Sequence, residues 1–133
     1  MRKQTGLLLA ALLLCAQGAL AQPAERKDLQ VFNDVANCAS CHRSSVYTDV
    51  NQGILHTPAE DGQDPAYALR SATKLYRTTP LRGLWHPPQL KGPYFHDGHA
   101  PTLGAAIDHY VQLQGLVLTA RQRADLIEYL KTL

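Results

Sequence analysis

The pentapeptide Cys38-Ala39-Ser40-Cys41-His42 constrains this chain more than any other stretch. C-x-x-C-H is the spacing at which haem is attached covalently to a polypeptide. Two thiols two residues apart can each add across a vinyl group of one porphyrin, and the next residue's imidazole then reaches the iron as proximal ligand. Ala39 and Ser40 are small enough to let the backbone approach the ring. Cys38, Cys41 and His42 are therefore the first candidate site residues, and one covalent haem c the expected cofactor.

The first residues speak to compartment. Arg2 and Lys3 form a positive start, Leu7 to Leu14 an apolar run too short to span a bilayer, and Ala19-Leu20-Ala21 a small-x-small cleavage site. Residues 1–21 are expected to be a cleaved secretory signal peptide and residues 22–133 a mono-haem domain beginning at Gln22. A lipid-anchored alternative at Cys15 meets Leu14, a large residue where lipoprotein processing wants a small one. Because bacteria assemble c-type haem in the periplasm, that is the expected location.

Cleavage also changes the cysteine arithmetic. With Cys15 gone, Cys38 and Cys41 have no third cysteine to pair with. A thioredoxin-like dithiol is expected beside a βαβ pattern, which this sequence lacks. Zinc held by both thiols and two of His42, His86, His96, His99 and His109 stays open, although no second C-x-x-C or H-x₃₋₅-H lies at zinc-finger distance.

Removing 21 of 133 residues leaves 112, one small domain. Loss of Arg2 and Lys3 lowers Lys+Arg from 13 to 11 against 11 Asp+Glu, so the domain is near neutral. Haem propionates would tip it acidic, which argues against a nucleic-acid partner. No remaining segment is long enough to cross a membrane. A domain this small buries limited apolar surface, so an embedded haem would form much of its core and the apoprotein is expected to fold poorly.

Helical pattern appears at both ends with a turn-rich middle. Residues 25–37 carry Leu29, Phe32, Val35 and Ala36 at helical spacing and lead into Cys38. A second helix is expected from Thr102 to about Gln114, with Leu103, Ala106, Ile107 and Tyr110 on one face and Gly115 as its stop. Thr119-Ala120-Arg121-Gln122 reads as a capping box before a stripe of Leu126, Ile127, Leu130 and Leu133, with Tyr129 beside it. Between 44 and 101, Gly, Pro, Asp and Thr predict ordered loops and one short helix near Pro65 to Ser71.

An aromatic-bearing helix before C-x-x-C-H and an amphipathic helix at the C-terminus resemble the class I cytochrome c fold. The resemblance implies an all-α fold, its N- and C-terminal helices crossed around one covalent haem with long ordered loops. It further implies an aromatic from each helix at the crossing, and Phe32 and Tyr129 match those places. Such proteins usually supply a methionine as the sixth iron ligand, yet the sole methionine is Met1, so the distal face must be filled otherwise or stand open.

Further segments narrow the resemblance. Tyr76 to Trp85, containing Thr79-Pro80-Leu81-Arg82, precedes Gly92-Pro93-Tyr94-Phe95-His96-Asp97-Gly98 and then Ala100-Pro101-Thr102-Leu103. Together they resemble the C-terminal haem domain of the bacterial di-haem cytochrome c peroxidase and MauG family, with its T-P-x-L-R-type segment, P-Y-x-H-D-G turn and T-L-x-x-A/V helix in that order. Gly53-Ile54-Leu55-His56-Thr57 is similar to that family's F-H-N-x-G segment. Here the T-P-x-L-R segment lacks its spacer residue, and these 133 residues are not expected to include the domain that carries the family's peroxide site.

In that family the helix after the P-Y-x-H-D-G turn carries the distal ligand, a methionine in the peroxidases and a tyrosine in MauG. Tyr110 matches that place, on the inward face of its helix, where a phenol needs a partner and ferric iron is one. A tyrosine ligand favours Fe(III) and lowers the potential relative to His/Met ligation. A core tyrosine bonded to a carbonyl, a distal histidine and an open site are the alternatives. His96 reads as structural within its turn, His56 and His86 as outer residues, and His109 lies about 100° round the helix from Tyr110. Arg82 suits a haem propionate, since a guanidinium binds a carboxylate through two parallel hydrogen bonds. Trp85, the sole tryptophan, is placed to pack on the ring or along an electron path, its ordinary alternative being core.

The expected function is one-electron transfer through Fe(III)/Fe(II) haem with a redox partner protein. Two alternatives stand beside it: a haem subunit of a peroxidase or MauG-like oxidase that needs a second haem protein, and a haem-based ligand sensor. Peroxide turnover would mark the first and gas binding with a structural response the second.

Overall fold

Helix α1 enters the structure, a computed structural model that describes residues 28–43, 45–86 and 91–133, and runs over residues 28–35. The expected signal peptide and Cys15 lie outside the described residues. Val31–Val35 is π-helical, with the Ala36 amide donating to the Val31 carbonyl at 2.8 Å. A π turn spaces its hydrogen bond five residues apart, so Val31 and Ala36 come into line. This alters the expected core face: Val31, Phe32 and Ala36 are buried while Leu29 is 39% exposed. Asn37 follows in the left-handed region at φ 51°, a conformation asparagine tolerates, and turns the chain into the short 3₁₀ turn Cys38–Ser40.

The middle holds a second 3₁₀ turn, Val50–Gln52, and two one-turn helices, α2 (Pro58–Asp61) and α3 (Pro65–Ala68). Thr57 and Glu60 cap α2 reciprocally and Pro58 opens it, so a Thr-Pro-Ala-Glu start signal stands within the segment expected to be loop. Helix α3 begins at Pro65 as expected, and past Ala68 the chain continues as turns. Among the described residues no strand forms; isolated bridges pair His56 with Tyr76 and Tyr94 with Ala100. Beside the second bridge Gly92 has φ 66°, and a Cβ there would come within 2.7 Å of the Pro101 carbonyl, so only glycine fits.

Helices α4 (Leu103–Leu113) and α5 (Ala120–Leu130) match the predicted segments closely. Thr102 caps α4 and Gly115 follows it at φ 62°; the Thr119–Gln122 capping box forms at the start of α5. The fold is all-α, with α1 and α4 both packed on α5 around a core of Val31, Phe32, Ala36, Ile107, Leu126 and Leu130. Phe32, 1% exposed, meets the Tyr129 ring at 5.2 Å and the Tyr47 ring at 5.9 Å. The two expected aromatics thus join α1 to α5, and Tyr47 makes a third member from the loop. Burying a side chain of this size contributes roughly 1.5–3 kcal/mol.

Candidate haem cavity

The helices and the loops between them enclose a cavity of about 890 Å³. Its size lies within the roughly 300–1,000 Å³ range of cofactor sites. Cys38, Cys41 and His42 line one wall, Leu103, Ile107 and Tyr110 of α4 another, and Leu126 and Leu130 of α5 its inner end.

On the first wall the chain is tightly wound. The amides of Cys41 and His42 both donate to the Cys38 carbonyl, at 3.3 and 2.9 Å, bringing both thiols and the imidazole onto one short turn. Burial pushes the Cys38 thiol up to about 11 and raises Cys41 as well. His42 is lowered from the usual imidazole value by burial, partly opposed by its bond to Tyr47. His42 Nδ1 lies 2.9 Å from the Tyr47 carbonyl, which can only accept, so Nδ1 carries the proton. Nε2 is then the lone-pair nitrogen, the form in which imidazole binds metals.

That carbonyl sits in a loop that no sequence motif marks. Tyr47 adopts φ 54°, its hydroxyl lies 2.9 Å from the Tyr129 hydroxyl, and its ring packs on Phe32. Arg82 lines the cavity, donates through Nε to the Ser45 carbonyl, and stands 6.0 Å over the Tyr47 ring. Arg82 therefore braces the loop that orients His42.

Trp85 is not brought to the cavity, contrary to its expected place there. It is 59% exposed and meets His86 edge-on at 5.8 Å. Gly83, at φ 88°, donates its amide to the Leu133 carbonyl at 2.6 Å, and past this turn Leu84 is buried and lines the cavity while Trp85 stands outside.

Tyr110 does line the cavity, and burial raises its phenol above the ordinary tyrosine range, with the Asp61 carboxylate adding to the effect. The phenol makes no hydrogen bond to another described residue. Its ring meets Phe95 at 5.7 Å and His109 at 5.2 Å. Among the histidines after His42, His56 and His96 line the cavity; His99 and His109 do not. His109 Nε2 instead lies 3.0 Å from the Asp61 carbonyl. His96 is structural as expected, but through side chains: Nδ1 meets Gln63 Oε1 at 2.9 Å and Nε2 the Tyr76 hydroxyl at 3.3 Å. Both of its nitrogens are thus engaged.

Residues 29–133 match the family model for cytochrome c. The chain belongs to the cytochrome c family. It is also 29% identical to the methylamine utilization protein MauG of Methylorubrum extorquens, over 81% of this chain and 34% of that protein. Against the protein of the same name from Methylophilus methylotrophus it is 30% identical, over 86% of this chain and 38% of the relative. This cytochrome thus spans little more than a third of the length of these relatives. No solved structure matches it. Membership brings with it covalent haem c and haem-based electron transfer. The cavity fits such a group in volume and in its thiol and imidazole donors, and the buried Tyr94 hydroxyl on its wall has no hydrogen-bond partner. No helix among the described residues is long and apolar enough to cross a membrane.

Proposed function

We propose that this chain is an exported, periplasmic mono-haem cytochrome that passes single electrons to and from a redox partner protein. The observation that carries the reading is the shared turn: Cys38, Cys41 and His42 line one wall of the cavity, and His42 Nδ1 is occupied by the Tyr47 carbonyl. The Cys38 and Cys41 thiols would hold the haem through two thioethers, each S–H being added across one vinyl double bond. His42 Nε2 would serve as the proximal iron ligand, and Tyr110 is the candidate for the distal one. When bound, the haem supplies a one-electron Fe(III)/Fe(II) couple. The Arg82 guanidinium braces the Ser45–Tyr47 loop through Nε, and its remaining N–H groups would be available to hold a propionate.

Tyr110 on the cavity wall and the likeness to MauG support a second reading, a haem subunit of a MauG-like oxidase completed by a second haem protein. The test is to express the full chain in cells that mature c-type haem, then record its mass and its alkaline pyridine spectrum. We expect a polypeptide beginning at Gln22 with one haem bound through two thioethers, and loss of covalent haem in the Cys38→Ala/Cys41→Ala variant. Free thiols on the purified wild type would overturn the assignment. Peroxide turnover only after addition of a second haem protein would favour the oxidase reading.

A further inference from the structure

Asp49 stands out among the buried groups of this molecule. It is 1% exposed and is the only buried carboxylate among the described residues. A buried charge survives only where neighbours compensate it. Here the compensation is half complete: Oδ2 accepts from His56 Nε2 at 2.9 Å, while Oδ1 has no hydrogen-bond partner. Burial alone would raise this carboxyl, yet Thr78 and His56 hold it below the usual carboxylate range, so it is ionised.

Its placement gives that charge something to act on. A carboxylate oxygen of Asp49, a ring nitrogen of His56 and the Cys41 sulfur all lie within 4.8 Å of one another. His56 itself lines the cavity. It is fixed there by reciprocal backbone hydrogen bonds with Tyr76, both 2.8 Å. The segment that carries Asp49 is tied down as well, since the Thr48 hydroxyl donates to the Thr78 carbonyl at 2.6 Å and accepts from the Val50 amide at 3.3 Å. Neither partner can swing away without breaking these bonds.

We propose that the Asp49–His56 pair is a redox-tuning site, a fixed negative charge beside the Cys41 attachment that stabilises the oxidised haem and so lowers its potential. This rests on the haem reading of the Cys38–His42 turn. Fe(III) carries one more positive charge than Fe(II), and a buried carboxylate with one oxygen left without a hydrogen bond favours the more positive state. His56 positions the carboxylate and keeps it ionised. Thioether formation would take the Cys41 sulfur out of the local set of metal donors, leaving the pair to act on the ring.

The test measures the midpoint potential of the haem-loaded full chain by spectroelectrochemistry, for wild type, Asp49→Asn, Asp49→Glu and Glu128→Gln. Asp49→Asn should shift the potential upward, Asp49→Glu should stay near wild type, and Glu128→Gln, the same charge change at a side chain 68% exposed, should leave it unchanged. If Asp49→Asn matures poorly, Asp49→Ser removes the same charge with a smaller side chain. An unchanged or lowered potential in the neutral variants overturns the proposal. So does failure of both neutral variants to load haem while Asp49→Glu loads normally, because Asp49 then serves maturation. A wild type that carries no covalent haem refutes the reading of the motif itself, before any potential is compared.

Discussion

The two walls of the cavity are built on opposite plans. On the proximal wall the groups that orient His42 are paired with one another: its Nδ1 is held by the Tyr47 carbonyl, the Tyr47 hydroxyl meets that of Tyr129, and Arg82 reaches the Ser45 carbonyl. On the opposite side Tyr110 and Tyr94 present phenols without a hydrogen bond to any described residue, surrounded by ring contacts such as Phe95 on Tyr110. The first wall is fixed by the chain alone. The second has polar groups left over, which a buried site tolerates only when something else completes them.

The contrast breaks most heavily at Phe32. Its ring is the packing link between α1, Tyr129 of α5 and the Tyr47 loop, so Phe32→Ala removes support from the proximal wall at its base. We expect a loss of about 3–5 kcal/mol in denaturant unfolding of the haem-loaded protein. A loss below about 1 kcal/mol would mean that the haem, and not the helix junction, carries the wall.

Tyr110→Phe sharpens the other side. The substitution deletes a phenol that makes no hydrogen bond to another described residue, so no protein-protein bond is lost with it. The ferric optical and EPR spectra should nevertheless change ligand class, and the potential should rise. Unaltered spectra would make Tyr110 a plain core residue and favour an open site.

A smaller effect lies outside both walls. Arg123 holds Asp108 by a two-pronged contact at 2.6 and 2.7 Å, crossing α4 where Gly104 leaves room for the guanidinium. Hydrogen bonds from Arg123 hold the Asp108 carboxyl below the usual carboxylate range. A depressed folded value means that the pair's stabilisation is full above the unfolded aspartate value of about 3.9 and fades as pH falls through the folded one. Arg123→Gln should remove that part of the acid dependence in thermal melts while costing no more than about 1 kcal/mol at neutral pH, because both groups are partly exposed. An acid profile identical to wild type would show that the pair is inert.

Much of the helical frame was readable from short-range signals. Thr102 and Gly115 bound α4, and Thr119 with Gln122 opens α5, because capping depends on residues within one turn of each other. The inward set on α4 held for the same reason, since Leu103, Ala106, Ile107 and Tyr110 all line the cavity. On α1 the 3.6-residue pattern missed Val31, as the π turn re-phases the face. Trp85 looked like a ring-packing residue by type, but it sits in a turn held by Leu84 to Leu81, His86 to Gly83 and Gly83 to Leu133 hydrogen bonds, and stands exposed there.

By itself the sequence determined the chemistry on offer and the pieces that carry it: two thiols and an imidazole on one turn, an aromatic in each packed terminal helix, and a tyrosine on the inner face of α4. These are local facts, set by spacing along the chain. Tertiary structure alone decided which groups complete them. The carbonyl that orients His42 belongs to a backbone and leaves no trace in residue type, and the acid that pairs with His56 is picked out from other carboxylates only by its burial. Both depend on loop closure, which brings together groups that no short-range period relates.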